Sequence, residues 1–137
     1  MTQAIKSQPL KWHGGKSYLA KWIHSKAPPS VNEDPKTGYT HRNISFFGGG
    51  GEWLNWLPIE GISEAVNDLN YRLTTFWQVL RDPKLFPEFC HWIELSPFSD
   101  REFRVNKLAD DLEESEDLGL KISSEVNRAI QFFIRYR

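Results

Sequence analysis

Two glycine-rich segments carry residue types that can do chemistry. In Gly14-Gly15-Lys16-Ser17 the backbone N–H groups of a tight turn and a lysine ammonium are the parts that wrap a phosphate. The spacing excludes nucleoside-triphosphate hydrolysis of the phosphate-loop type, which needs a glycine at position 10, where Leu10 stands, and a buried strand leading in. The second segment, Gly48, Gly49, Gly50 and Gly51, follows the apolar run Ile44-Ser45-Phe46-Phe47 and precedes EWLNWL. A glycine turn between strand and helix lets a ligand approach the backbone, next to the unpaired N–H groups that open the helix.

A carboxylate completes this set. Asp68 ends the run Glu64-Ala65-Val66-Asn67-Asp68, which reads as a second strand, and an acid at a strand end can accept hydrogen bonds from both hydroxyls of a ribose. It can equally be a strand-end turn or helix cap. Strand, glycine turn, helix, strand and acid in that order suit a nicotinamide cofactor or S-adenosylmethionine. The dinucleotide glycine pattern fits poorly, because its last glycine falls on Trp53 when counted from Gly48.

The elements that must position these residues follow from apolar spacing. Lys16 to Lys26, with Tyr18, Leu19, Trp22 and Ile23 on one face, predicts a first helix that stops before Pro28 and Pro29. Residues 27–42 read as a surface loop, and 44–47 and 64–68 as strands. Leu73, Phe76, Trp77 and Leu80 fall on one face of a helix. Asp82-Pro83 starts another, striped by Phe86, Phe89, Cys90 and Ile93; a third starts near Ser99, with Val105, Leu108, Ala109 and Leu112. The stretch DDLEESED reads as a solvated acidic face. The last helix opens at Ser123 or Ser124 with Val126, Ala129, Ile130, Phe133 and Ile134 as its stripe, and its abrupt stop at Arg137 suggests a chain cut short. Two β-α units in succession predict a parallel sheet with flanking helices, an α/β fold with a helical C-terminal part.

The whole chain is 137 residues, room for one modest domain. Its 39% hydrophobic and 26% charged residues, with mean hydropathy of −0.54, are those of a globular protein and exclude disorder and coiled coil. The 14% aromatic content predicts a core or ligand surface of flat side chains. No run reaches membrane-span length and no signal peptide leads the chain. Cys90, the one cysteine, allows no intrachain disulfide, so a cytoplasmic location is expected. Net charge is −1, yet residues 1–42 hold seven basic side chains against Glu33 and Asp34. Such a basic third can meet a nucleic-acid backbone or an anionic cofactor group, and is also what a solvated helix face looks like.

PLKWHGGK ahead of a helix, then FFGGGG, then AVNDLN ahead of a helix ending in VLRD, together resemble the N-terminal half of the Dam-like class of adenine-specific DNA methyltransferases. PFS at 97–99 and the closing 132–137 segment are similar to its phage and prophage branch. The resemblance covers nearly the whole chain in order. It implies a partial Rossmann-like methyltransferase fold over residues 1–137, with 95–137 opening the helical, target-recognition region. It implies S-adenosylmethionine as cofactor, with Trp12 and Lys16 lining its pocket, Gly48, Gly49, Gly50 and Gly51 against its methionine end, and Asp68 on its ribose. Many members have Glu-Pro-Phe where this chain has Ile44-Ser45-Phe46, so no carboxylate contact carries over there.

The class methylates a flipped-out adenine of double-stranded DNA, using an Asp-Pro-Pro-Tyr type tetrapeptide. Pro28-Pro29, between Ala27 and Ser30, is the sole Pro-Pro here and lacks both acid and aromatic ring, so no catalytic residue is assigned and the chain alone is expected to be inactive. The expectation is therefore a truncated cofactor-binding part of such an enzyme, or else a non-catalytic S-adenosylmethionine-binding module whose missing half is supplied in trans by a second chain.

Overall fold

A computed structural model of the chain describes residues 8–97, 99–112 and 123–137, with backbone alone over 108–112. Among these residues it is a mixed α/β structure with two strands and five α-helices, divided into two compact units at Leu69 and Asn70.

The first unit holds β1 (His41–Ile44) and β2 (Ser63–Val66), which pair in parallel, as the succession of β-α units predicts. The strand expected at 44–47 is displaced towards the N-terminus for two physical reasons. Arg42 is buried in β1, pairs with Glu64 opposite it on β2, and lies 4.2 Å from the centre of the Trp56 ring. An inward arginine held in this way is invisible to a count of apolar residues. At the other end, the Asn67 amide donates to the Ile44 carbonyl (2.9 Å), while the Phe47 amide donates to the Asn67 carbonyl (3.0 Å). A regular parallel ladder would use positions two apart rather than three, so one residue is extra. The bulge ends β1 and leaves Phe46 69% exposed. The second strand likewise stops at Val66, so Asp68 lies just beyond it.

The helix expected over 16–26 is a 3-10 turn (Ser17–Leu19) followed by the five-residue α1 (Ala20–His24). Its inner side is Ala20 with the half-buried Ile23 and His24, whose ring packs on Trp56 at 3.8 Å. Tyr18 and Trp22, expected to face the core, are 81% and 61% exposed, because so short an element has room to bury little more than one small residue. After the glycines, the expected helix is a single 3-10 turn (Trp53–Asn55) that ends in extended backbone at Trp56. The 27–42 loop is tied locally, with Glu33 accepting from both the amide and hydroxyl of Ser30.

The second unit is helical and follows the predicted stripes in part: Phe86, expected inward, is 43% exposed, and Val79 and Phe132 are buried beside the half-buried Leu80 and Phe133. In α2 (Tyr71–Arg81) the Asn70 side chain accepts from the Arg72 and Leu73 amides, a standard start, and Leu73, Phe76 and Val79 are buried. Asp82 accepts from the Lys84 and Leu85 amides to open α3 (Leu85–Leu95). Ser99 bonds the Glu102 amide at the start of α4 (Asp100–Leu112). Val105 is half-exposed rather than inward; Leu108, Ala109, Leu112 and the whole acidic stretch lie outside the residues whose side chains are described. α5 (Ser124–Tyr136) packs against α2, α3 and α4 and buries Val126, Ala129, Ile130, Phe132 and Ile134. Phe76 sits among Phe89, Phe132 and Phe133 at ring distances of about 6 Å. Much of the phenylalanine content is thus spent on this core. Cys90 is half-buried.

Candidate functional site

Two turns within the first unit face each other. Gly15 N–H donates to the Trp12 carbonyl (3.1 Å), closing a turn whose third residue, Gly14, takes φ +75°. Gly50 N–H donates to the Phe47 carbonyl (3.0 Å), with Gly48 at φ +54° and Gly50 at +74°. Side chains other than glycine's rarely adopt these angles. The turns are also in close contact: a Cβ on Gly48 would lie 2.9 Å from Trp12 Cδ1, and one on Gly49 would lie 2.9 Å from Trp12 Cβ. The glycines therefore admit the indole of Trp12 as well as supplying turn geometry.

Two polar side chains fasten this arrangement. The Lys16 ammonium donates to the Phe46 carbonyl at 3.0 Å, joining the first turn to the bulge after β1. The Gly48 amide donates to Asp68 Oδ2 at 2.9 Å, joining the glycine turn to the segment after β2. The space between is a cleft of about 250 Å³, lined by Trp12, Lys16, Gly48, Gly49 and Asp68, with Phe46, Phe47 and Glu52 also on its walls. Of the predicted site residues, these five come together. Gly50 and Gly51 are buried in the same turn but do not line the cleft.

His13, Gly14, Gly15, Phe46, Phe47 and Glu52 line the cleft without having been singled out as binding residues. The glycines and aromatics lay inside the motifs already marked. Glu52 could have been found as the acid directly after the glycine turn. The cleft thus offers two flat phenylalanine rings, an indole, an ammonium group, two carboxylates and a backbone turn. That set can accept a ligand with an aromatic ring, a diol and a zwitterionic end.

His24 does not line the cleft, yet it hydrogen-bonds the backbone of Glu52, which does. Burial, followed by the neighbouring Arg42 cation, lowers its pKa below the ordinary 6.5, so it stands neutral against Trp56 near pH 7.

No protein-family model matches the chain, and neither a curated protein nor a solved structure matches it.

Proposed function

We propose that residues 8–68 bind S-adenosylmethionine, as the cofactor-binding part of an adenine-specific DNA methyltransferase with a Rossmann-like fold. The observation that carries this reading is the convergence of Trp12, Lys16, the glycine turn and Asp68 on one cleft. Asp68, the acid that bonds the Gly48 amide, is the group assigned to the ribose hydroxyls, whose hydrogen bonds a carboxylate can accept with its two oxygens. An ammonium has three donors, so Lys16 can bond the cofactor carboxylate as well as the Phe46 carbonyl. Phe46 and Phe47 supply flat walls for adenine, and the Trp12 ring is a suitable neighbour for the sulfonium cation.

These residues hold the methyl donor, and no methyl-transfer step is assigned to them. The Asp-Pro-Pro-Tyr type tetrapeptide that would align a target amine does not occur in the 137 residues. The reading therefore places the acceptor chemistry on a further polypeptide segment, in cis or in trans, with double-stranded DNA as the substrate.

Isothermal calorimetry tests the assignment. S-adenosylmethionine is expected to bind weakly and NADH not at all. Binding of NADH in preference would reverse it in favour of a dinucleotide site. Incorporation of labelled methyl into DNA by this chain alone would refute the division between donor site and catalytic segment.

A further inference from the structure

Outside the cleft, an exposed face around α1 stands out by composition. Residues 17–32 contain Lys21 and Lys26 and no aspartate or glutamate. Lys21 and Trp22 stand three and four residues after Tyr18, and Ser25 stands four and three after those two, so the four occupy one side of the helical turn. The Ser25 and Lys26 amides donate to the Lys21 and Ile23 carbonyls, which carries that turn on to Lys26. Lys21, Ser25 and Lys26 are exposed, and Tyr18 and Trp22 are 81% and 61% exposed. Open rings beside cations present the flat, positive surface that suits an unstacked base and its phosphate.

We propose that this face binds a nucleic-acid strand, with Tyr18 and Trp22 stacking on unstacked bases and Lys21 and Lys26 neutralising phosphates. Aromatic platforms interleaved with cations are the recurring way to hold single strands, since every base has a π face and every nucleotide a negative charge. An anionic bilayer is the lesser fit: interfacial helices bury a broad apolar arc, and this face has two rings, two lysines and a serine. The inference goes beyond the methyltransferase reading, whose substrate is a duplex, by naming a surface for a single strand, and it is testable without any cofactor.

The test is fluorescence anisotropy of labelled oligothymidine titrated with the full chain at several salt concentrations. The unsubstituted protein is expected to bind. Joint replacement Tyr18→Ala and Trp22→Ala is expected to weaken binding about tenfold or more. Lys21→Gln with Lys26→Gln should reduce the slope of log affinity against log salt by about 1.4, roughly 0.7 for each phosphate released on a single strand. The four side chains are exposed, so far-ultraviolet circular dichroism should be unchanged. Absence of oligonucleotide binding at low salt would overturn the proposal, as would variants indistinguishable from the parent. Binding to phosphatidylserine vesicles that these substitutions abolish, with oligonucleotide binding intact, would also overturn it. Calorimetry with S-adenosylmethionine on the same variants should match the parent. Failure of the parent to bind the cofactor would refute the donor site and leave the strand-binding face standing.

Discussion

One oxygen of the Asp68 carboxylate accepts the Gly48 amide at 2.9 Å, so substitution there separates turn geometry from ligand binding only when two variants are compared. Asp68→Ala removes the acceptor outright and should cost about 1.5–3 kcal/mol of cofactor affinity together with some stability. Asp68→Asn keeps an oxygen for Gly48 and loses the charge. Its melting temperature should stay near the parent's while calorimetry shows weaker cofactor binding. Equal affinities in all three proteins would make Asp68 a purely structural tie. Gly49→Ala places a methyl 2.9 Å from Trp12 Cβ, an atom next to the backbone with little freedom to retreat. Urea unfolding should show a loss of about 1–3 kcal/mol. Adding Trp12→Gly, which removes that Cβ, should recover part of it, a coupling that independent sites would not show.

At the scale of elements, the second unit was legible mainly from its apolar stripes, with Asp82 and Ser99 marking the starts of two helices. Asn70 and Asp82 each accept two backbone amides, and Phe76, Phe89 and Val126 fall inward as the spacing says. The first unit was less so. The glycine turn and its acid were readable, yet β1 is fixed by Arg42 meeting Glu64 and by an extra residue before Phe47, and neither leaves an apolar trace. His24 adds a pH dependence to this unit. Its folded pKa lies below 6.5, so between the two values the unfolded chain binds more protons. Stability is therefore full above 6.5 and declines as pH falls from there to the folded pKa. Thermal melts over that range should show the decline, and His24→Gln should flatten it. A slope unchanged in the variant would assign the effect elsewhere. Glu33 and Asp34, held low by hydrogen bonds from the Ser30 amide and the Thr37 hydroxyl respectively, act only at more acid pH, below about 4.5.

Among the described residues, the buried phenylalanines all lie in the second unit. Phe76, Phe89, Phe132 and Phe133 form a core in the second, whereas Tyr18, Trp22 and Phe46 in the first are open to water. The first unit also relies on a two-stranded sheet whose β2 is exposed at every position, a small framework for parallel strands, which are usually covered on both faces. The two units should differ in robustness accordingly. A fragment of residues 70–137 is expected to keep a cooperative helical melt by circular dichroism. Phe76→Ala should lower its unfolding free energy by roughly 3–5 kcal/mol, because that fully buried ring touches four others. A fragment without cooperative melting would show that its helices depend on the preceding residues.

The contact of Trp12 with Gly48 and Gly49 also governs how the sequence is free to drift. A side chain at Gly49 meets Trp12 Cβ, and one at Gly48 meets the indole on top of the strain of its backbone angle, so neither is tolerated while Trp12 stays. A smaller residue at position 12 opens a gap that the turn cannot fill while it stays glycine. Change at either place is penalised until the other changes too, so the two segments are inherited as a pair. Descendants of this chain should keep both or lose both.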